Sequence, residues 1–201
     1  IRVYLSDRKT ASTPQQYGSG HWLTCSPSTT WDVSACAYFF AHTLTKALDC
    51  PVAIVQCVYG ATKVQAWMSK PVLEQFLGRS VEVPDAPTYK HPCGMYNQIV
   101  HPVERFAMRG MIYYQGESNC YDTIRYESIF PTAVRSWRKA WQREFPFFYT
   151  QIAPFYYDST LRCASIQEQQ AHCLDSIPLS GMAVTSDLGD SLCIHYVSKR
   201  P

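Results

Sequence analysis

Three short apolar runs constrain this chain most, each stopped by small or polar residues: PVAIVQCVYG (51–60), GMIYYQG (110–116) and FPFFYTQIA (145–153). Runs of that length, rich in β-branched and aromatic residues and too short for helices, read as strands buried on both faces. Between them the apolar spacing turns helical. Val33, Ala37, Phe40, Ala41, Leu44 and Leu48 form one stripe, with Asp32 or Ser34 placed to cap its start; Tyr126, Phe130, Val134, Trp137 and Trp141 form another. IRVYL at the start reads as a short strand, RCASIQEQQAHCL (162–174) as a further helix and GMAVTSDLGD (181–190) as a last strand running into a polar loop. Strands alternating with helices in this way predict a mostly parallel sheet between helix layers, a three-layer α/β/α sandwich.

The remaining segments read as connections. Residues 6–30, punctuated by Gly-Ser-Gly and Ser-Pro-Ser, read as a long surface loop; residues 70–92 carry four prolines and read as a loop with one short helix near Val72–Phe76; MYNQIVHPVERFAM (95–108) reads as helix and turn. Neither repeats nor a linker-like composition shift divides the chain, so residues 1–201 are expected to form a single domain. A hydrophobic content of 46% with 17% charged residues is enough for a core. The balance of 18 Lys plus Arg against 16 Asp plus Glu, without a basic run, argues against a nucleic-acid partner. No apolar segment approaches the roughly 20 residues needed to cross a bilayer, and IRVYLSDRKT lacks the apolar core of a signal peptide. The expectation is a soluble protein without a membrane partner, any targeting segment being removed or lying upstream.

Nine cysteines, odd in number and without a C-x-x-C pair, fit neither a zinc ribbon nor a disulfide scaffold. Cys25, Cys36, Cys50 and Cys57 are disulfide candidates if the protein is exported, with no pairing legible. His91, Cys93 and His101 come nearest to a metal cluster but lack a second close pair of ligands, so neither a metal nor another cofactor is expected.

In a parallel sheet, ligands bind beyond the carboxyl ends of the strands. Three polar clusters belong at that edge: YGAT (59–62), QGESN (115–119) and SDLGDSLCIH (186–195). Together they offer backbone amides at Gly60 and Ala61, side-chain amides at Gln115 and Asn119, carboxylates at Glu117, Asp187 and Asp190, and the imidazole of His195. That inventory suits acyl transfer: a histidine base, a carboxylate to orient it and donors aimed at an oxyanion. Each element also has a plainer reading. Gly60 could merely end a strand, Gln115 and Asn119 could shape a turn, and His195 could lie on the surface.

GMIYYQGESN, preceded by MYNQIVHP, resembles the Gln-Gly-Glu-Ser-Asn block of the sialate O-acetylesterase family, a branch of the SGNH hydrolases that removes acetyl groups from sugar hydroxyls. DRKTASTP with SGHWLTCSP, VSACAYFFAHTL, PVAIVQCVYGATKVQAWMS, FPFFYTQIAPF and GMAVTSDLGD stand in that family's order and approximate spacing. The resemblance implies a flavodoxin-like α/β/α esterase domain, an acetylated carbohydrate as substrate, and an exported location (periplasmic, extracellular or lysosomal). It makes His195 the base, Gly60 the oxyanion-hole glycine with Ala61 replacing a second glycine, and Gln115 an oxyanion donor. Glu117 and Asn119 would hold that loop or contact the sugar, and Arg162 and Gln167 match a polar pair that lines the site. Trp67, Tyr114, Phe155 and Tyr156 are candidates to stack on a sugar face, core packing being the stronger reading for Tyr114 than for Trp67.

The chain departs from the family in two places. The family's serine lies in a Gly-Gln-Ser-Asn block after a strand that precedes the segment matched by IRVYLSDRKT, and no such block occurs here; Ser6, Ser19 and Ser118 lack that context. The nucleophile and its strand are therefore expected upstream of Ile1, and the family's last helix after the histidine is also absent. The usual Asp-Ile-His-Pro is here CIHY, with Cys193 in the aspartate's place, which makes Asp190 and Asp187 the candidate acids. Cys120 offers itself as an alternative nucleophile in a Cys-His arrangement. A relative that keeps the sugar cleft without catalysis, or a fragment completed by another polypeptide, is the alternative to an esterase. Nothing in the sequence bears on oligomeric state.

Overall fold

A computed structural model describes residues 1–155 and 162–190. Among the described residues are six strands and four α-helices, which alternate from β2 onward: β1 (Arg2–Ser6), β2 (Gly20–Thr24), α1 (Ala35–Leu48), β3 (Ala53–Gln56), α2 (Lys70–Leu77), β4 (Met111–Tyr114), α3 (Tyr126–Ala140), β5 (Phe147–Thr150), α4 (Arg162–Ser176) and β6 (Ser180–Ala183). The strands fall into two three-stranded sheets, ordered β2-β1-β3 and β4-β5-β6. β4, β5 and β6 are all parallel, and so are β1 and β3.

The single sheet expected from the sequence is thus divided: no ladder among the described residues joins β3 to β4. β2 corrects the reading of residues 6–30 as a loop. GHWLT pairs antiparallel with β1, Tyr4 opposite Trp22 with ring centroids 5.6 Å apart, but on the sheet's outer edge its side chains stay largely exposed. An edge strand of that kind lacks the alternating apolar signal by which strands are read.

The main core lies on one face of the β4-β5-β6 sheet. Tyr113 stacks on Phe130 of α3 at 5.1 Å, Trp137 stacks on Phe147 at 6.1 Å, and the Tyr149 hydroxyl donates to the Gln170 carbonyl of α4 at 2.8 Å. The stripe Tyr126, Phe130, Val134 and Trp137 is therefore the buried face of α3, as its spacing requires. The opposite face does not meet the expectation of double burial. Ile112 (37% exposed), Tyr114 (46%) and Phe148 (46%) lie open on it, with Phe40 of α1 reaching Phe148 at 6.5 Å. α1 starts where Ser34 caps it, its hydroxyl accepting from Ala37 N. The Gln56 side chain holds that start to β3, accepting from Ser34 N at 2.7 Å and donating to Asp32 O at 3.0 Å. Of the α1 stripe only Val33, Ala37 and Ala41 are buried.

The candidate disulfide cysteines Cys25, Cys36, Cys50 and Cys57 are all free thiols. His91 Nδ1 accepts from Thr88 N at 2.9 Å, while His101 Nδ1 meets Gln15 O at 3.1 Å. Among the described residues no helix is long and apolar enough to cross a membrane.

Candidate active site

The exits of the strands meet through a chain of side-chain amides. Gln115 follows β4 and is buried; its Nε2 donates to Thr62 O at 3.0 Å and to Asn119 Oδ1 at 2.7 Å. Its Oε1 accepts from the hydroxyls of Tyr113 (3.1 Å) and Tyr126 (3.0 Å). Asn119, 1% exposed, also accepts from Val64 N at 3.1 Å and donates to Gln65 Oε1 at 3.1 Å. The turn after β3 is thereby clamped to the turn after β4. Lys63 adds an ion pair to Asp122 at 3.3 Å.

α4 extends the clamp across the sheet. Gln170 Nε2 donates to Gln115 O at 3.1 Å while its Oε1 accepts from Ile152 N, just beyond β5, at 2.9 Å. Gln167 donates to Ile152 O at 2.9 Å, so it fastens α4 to the β5 exit. The β6 exit closes the row. Thr185 Oγ1 donates to Gln151 O at 2.8 Å, and the Cα of Gly189 lies so close to Pro154 that a Cβ there would stand 2.6 Å from the proline ring. All three exits therefore share one edge as far as Asp190. Asp187 is exposed and Asp190 half-buried on that loop; His195, like Cys193, Tyr196 and Tyr156, lies outside the described residues.

Gly116 is a glycine by necessity, since a Cβ would stand 2.7 Å from Ile152 Cγ2 and 3.1 Å from Gln170 Nε2. Gly60 meets nothing within 4 Å of where its Cβ would be, so space alone does not require it. Ala61 takes a left-handed φ of 56°, a conformation that costs a residue with a Cβ about 1 kcal/mol. Thr62 Oγ1 donates to Tyr59 O at 2.9 Å across that turn, and the Gln115–Thr62 and Val64–Asn119 bonds hold its far end.

The sequence reading aimed Gln115 at a reacting oxygen; in this arrangement both of its amide hydrogens are already donated, to Thr62 and Asn119. Glu117 opens the short turn that follows Gly116 and is half-buried. Arg162, at the start of α4, lies over the Tyr121 ring at 4.7 Å. It lines a polar cavity of about 360 Å³ with Asn119, Asp122, Arg125, Ser165 and Gln169. Gln167, expected beside Arg162 in the site, does not line this cavity. Of the aromatic candidates, Trp67 is core, 8% exposed with its indole N–H on Thr62 Oγ1 at 2.8 Å, and Tyr114 is the open one, the reverse of the expectation. Cys120 is buried, and desolvation, aided by Cys163 and Glu117, pushes its thiol up to about 12, leaving it protonated at neutral pH. Sequence reading missed Gln169 and Gln170; a helix carrying QEQQ gives no sign of which amides face the sheet.

Parallel strands flanked by helices, with polar exits cross-linked at one edge, define an α/β architecture. The chain superposes on XAC1771, a novel carbohydrate acetylesterase from Xanthomonas citri, with a TM-score of 0.85 and 29% identity, over 99% of this chain and 45% of that one. It belongs to the carbohydrate esterase family of sialic acid-specific acetylesterases, whose model matches residues 11–199. It is also similar to the sialate O-acetylesterases of Homo sapiens (28% identical over 124 residues, 55% of this chain and 22% of that protein) and Mus musculus (22% over 161 residues, 61% and 30%). The chain thus spans less than a third of the length of these curated relatives.

Proposed function

We propose that the full-length protein is a carbohydrate O-acetylesterase that hydrolyses acetyl esters on sugar hydroxyls, and that residues 1–201 supply every part of its site except the nucleophile. The observation that carries this reading is the clamp of the Gly60–Thr62 turn onto the Gln115 block, which fixes backbone donors where the sheet's exits meet. A serine upstream of Ile1 attacks the acetyl carbonyl while His195 takes its proton. The negative charge that develops on the carbonyl oxygen is met by the backbone N–H groups of Gly60 and Ala61. Gln115 acts by holding Thr62, and through it that turn. As the tetrahedral intermediate collapses, His195 returns the proton to the departing sugar oxygen. Water, deprotonated by His195, then cleaves the acetyl-enzyme to acetate.

Asp190 or Asp187 orients His195, taking the place of the family aspartate where this chain has Cys193. The Arg162 cavity, next to Asn119, receives the sugar. The expected location is outside the cytoplasm, in keeping with the glycans on which such esters occur. CIHY favours one competing reading, a protein that binds acetylated sugar without turning it over.

Acetate release from O-acetylated sugars by the full-length protein separates the two. His195→Ala is expected to lower kcat by about 10⁴-fold with little change in sugar affinity. Equal, trace turnover by wild type and variant, with sugar binding intact, would leave the binding protein as the right description.

A further inference from the structure

The amide chain at the strand exits has one direction. The hydroxyls of Tyr113 and Tyr126 donate to Gln115 Oε1, Gln115 Nε2 donates to Asn119 Oδ1 at 2.7 Å, Asn119 Nδ2 donates to Gln65 Oε1 at 3.1 Å, and Gln65 Nε2 donates to Asp122 Oδ2 at 2.6 Å. Every hydrogen in the chain points toward the Asp122 carboxylate. A side-chain amide fits its space equally well in two senses until its partners select one, and here both ends of the chain select. At one end Val64 N–H can only donate and Thr62 O can only accept, so Asn119 turns its oxygen, and Gln115 its nitrogen, toward the Gly60–Thr62 turn. At the other end an ionised carboxylate can only accept. Asp122 Oδ2 takes Gln65, Lys63 (3.3 Å) and Asn119 (3.4 Å), its Oδ1 takes Ile124 N–H (3.4 Å), and its side chain is 10% exposed.

We propose that Asp122 is a positioning residue of the esterase: its negative charge sets the sense of the Gln65, Asn119 and Gln115 amides, and through them holds the Gly60–Thr62 turn that carries the oxyanion donors. Its part in the reaction rests on the esterase reading; its hold on the turn does not. An isosteric amide cannot replace it. In Asp122→Asn either the new oxygen faces Gln65 while the new nitrogen confronts Ile124 N–H, or the reverse, so one donor meets another in both senses. Reversing Gln65 relieves the second conflict only by passing it to Asn119, which then turns its hydrogens toward Val64 N–H. Asp122 also lines the Arg162 cavity, so direct contact with the sugar is the competing role. Kinetics separates the two, because a contact made equally in ground and transition states acts on KM, whereas a displaced oxyanion turn acts on kcat.

Acetate release by the full-length protein and its Asp122→Asn and Gln65→Met variants, with hydrogen exchange of Val64 N–H read by mass spectrometry, tests this. Both variants are expected to lose about 10²-fold in kcat at near-constant KM and to exchange Val64 N–H about tenfold faster. In the double variant the losses do not add, because the second change acts on a relay already cut. Gln65→Met keeps the carbon stem and lies outside the cavity wall, so it carries the test if Asp122→Asn does not fold. A higher KM at unchanged kcat in Asp122→Asn would make Asp122 a sugar contact and overturn the proposal. So would additive losses, or a lowered melting temperature with kcat intact, the mark of a merely structural role. Unaltered Val64 exchange in the variants of a protein that releases acetate would remove the relay and keep the esterase. Faster exchange in the variants of a protein that releases no acetate would remove the esterase and keep the hold on the turn.

Discussion

Asn119 is the residue on which the candidate site turns, because every polar atom of its side chain holds another element. Its oxygen takes Val64 N–H and one hydrogen of Gln115, and its nitrogen serves Gln65 and, at 3.4 Å, Asp122. Asn119→Ala would leave two donors without acceptors in the core, each costing roughly 1–3 kcal/mol. Urea denaturation of the full-length protein is expected to show a loss of about 3 kcal/mol, with acetate release falling as the Gly60–Thr62 turn loosens. Unchanged stability would show that the turn is held by other means. Glutamines and asparagines at strand exits carry two readings in a sequence, ligand or clasp, and spacing does not separate them. The sequence left Asn119 between holding the loop and contacting a sugar. The engagement of both Gln115 hydrogens was not legible, because it depends on Thr62, distant in sequence and adjacent only in the fold.

Among the elements, α3 shows what a helical stripe reveals and what it leaves out. The positions from Tyr126 to Trp137 named its buried face, yet its firmest tie to the sheet is a charge. Arg138, 3% exposed, donates to Phe145 O at 2.9 Å and Pro178 O at 2.7 Å, ahead of β5 and β6, and pairs with Glu144 at 3.3 Å. An arginine among aromatics reads in sequence as a solvated residue; only the meeting of two loop carbonyls beneath the helix end explains its burial. Arg138→Met keeps the volume of the stem and strips both carbonyls of their donor. It is expected to cost about 3 kcal/mol and to lower the melting temperature without altering the pattern of sugar specificity. A melting temperature equal to wild type would mean that water or a neighbour replaces the guanidinium. The apolar runs show the converse difficulty. GMIYYQG reads as buried on both faces because a complete sheet demands it, whereas the described residues cover the Tyr113 face and leave Ile112 and Tyr114 open.

For the whole molecule, the parallel direction of most strands followed from the alternation of periods, and the edge carrying the polar clusters followed from the direction; the order of the strands did not. The division into two sheets did not, since no local pattern reports the absence of a neighbour. The proposed esterase takes its nucleophile from a serine upstream of Ile1 and its base from His195. Labelling the full-length protein with a fluorophosphonate and mapping the adduct by peptide mass spectrometry tests this most directly. The expected adduct lies on a single serine that precedes Ile1, and it is lost or strongly slowed in His195→Ala. An adduct on Ser6, Ser19, Ser118 or any other residue within 1–201, or none on a protein that releases acetate, would contradict it.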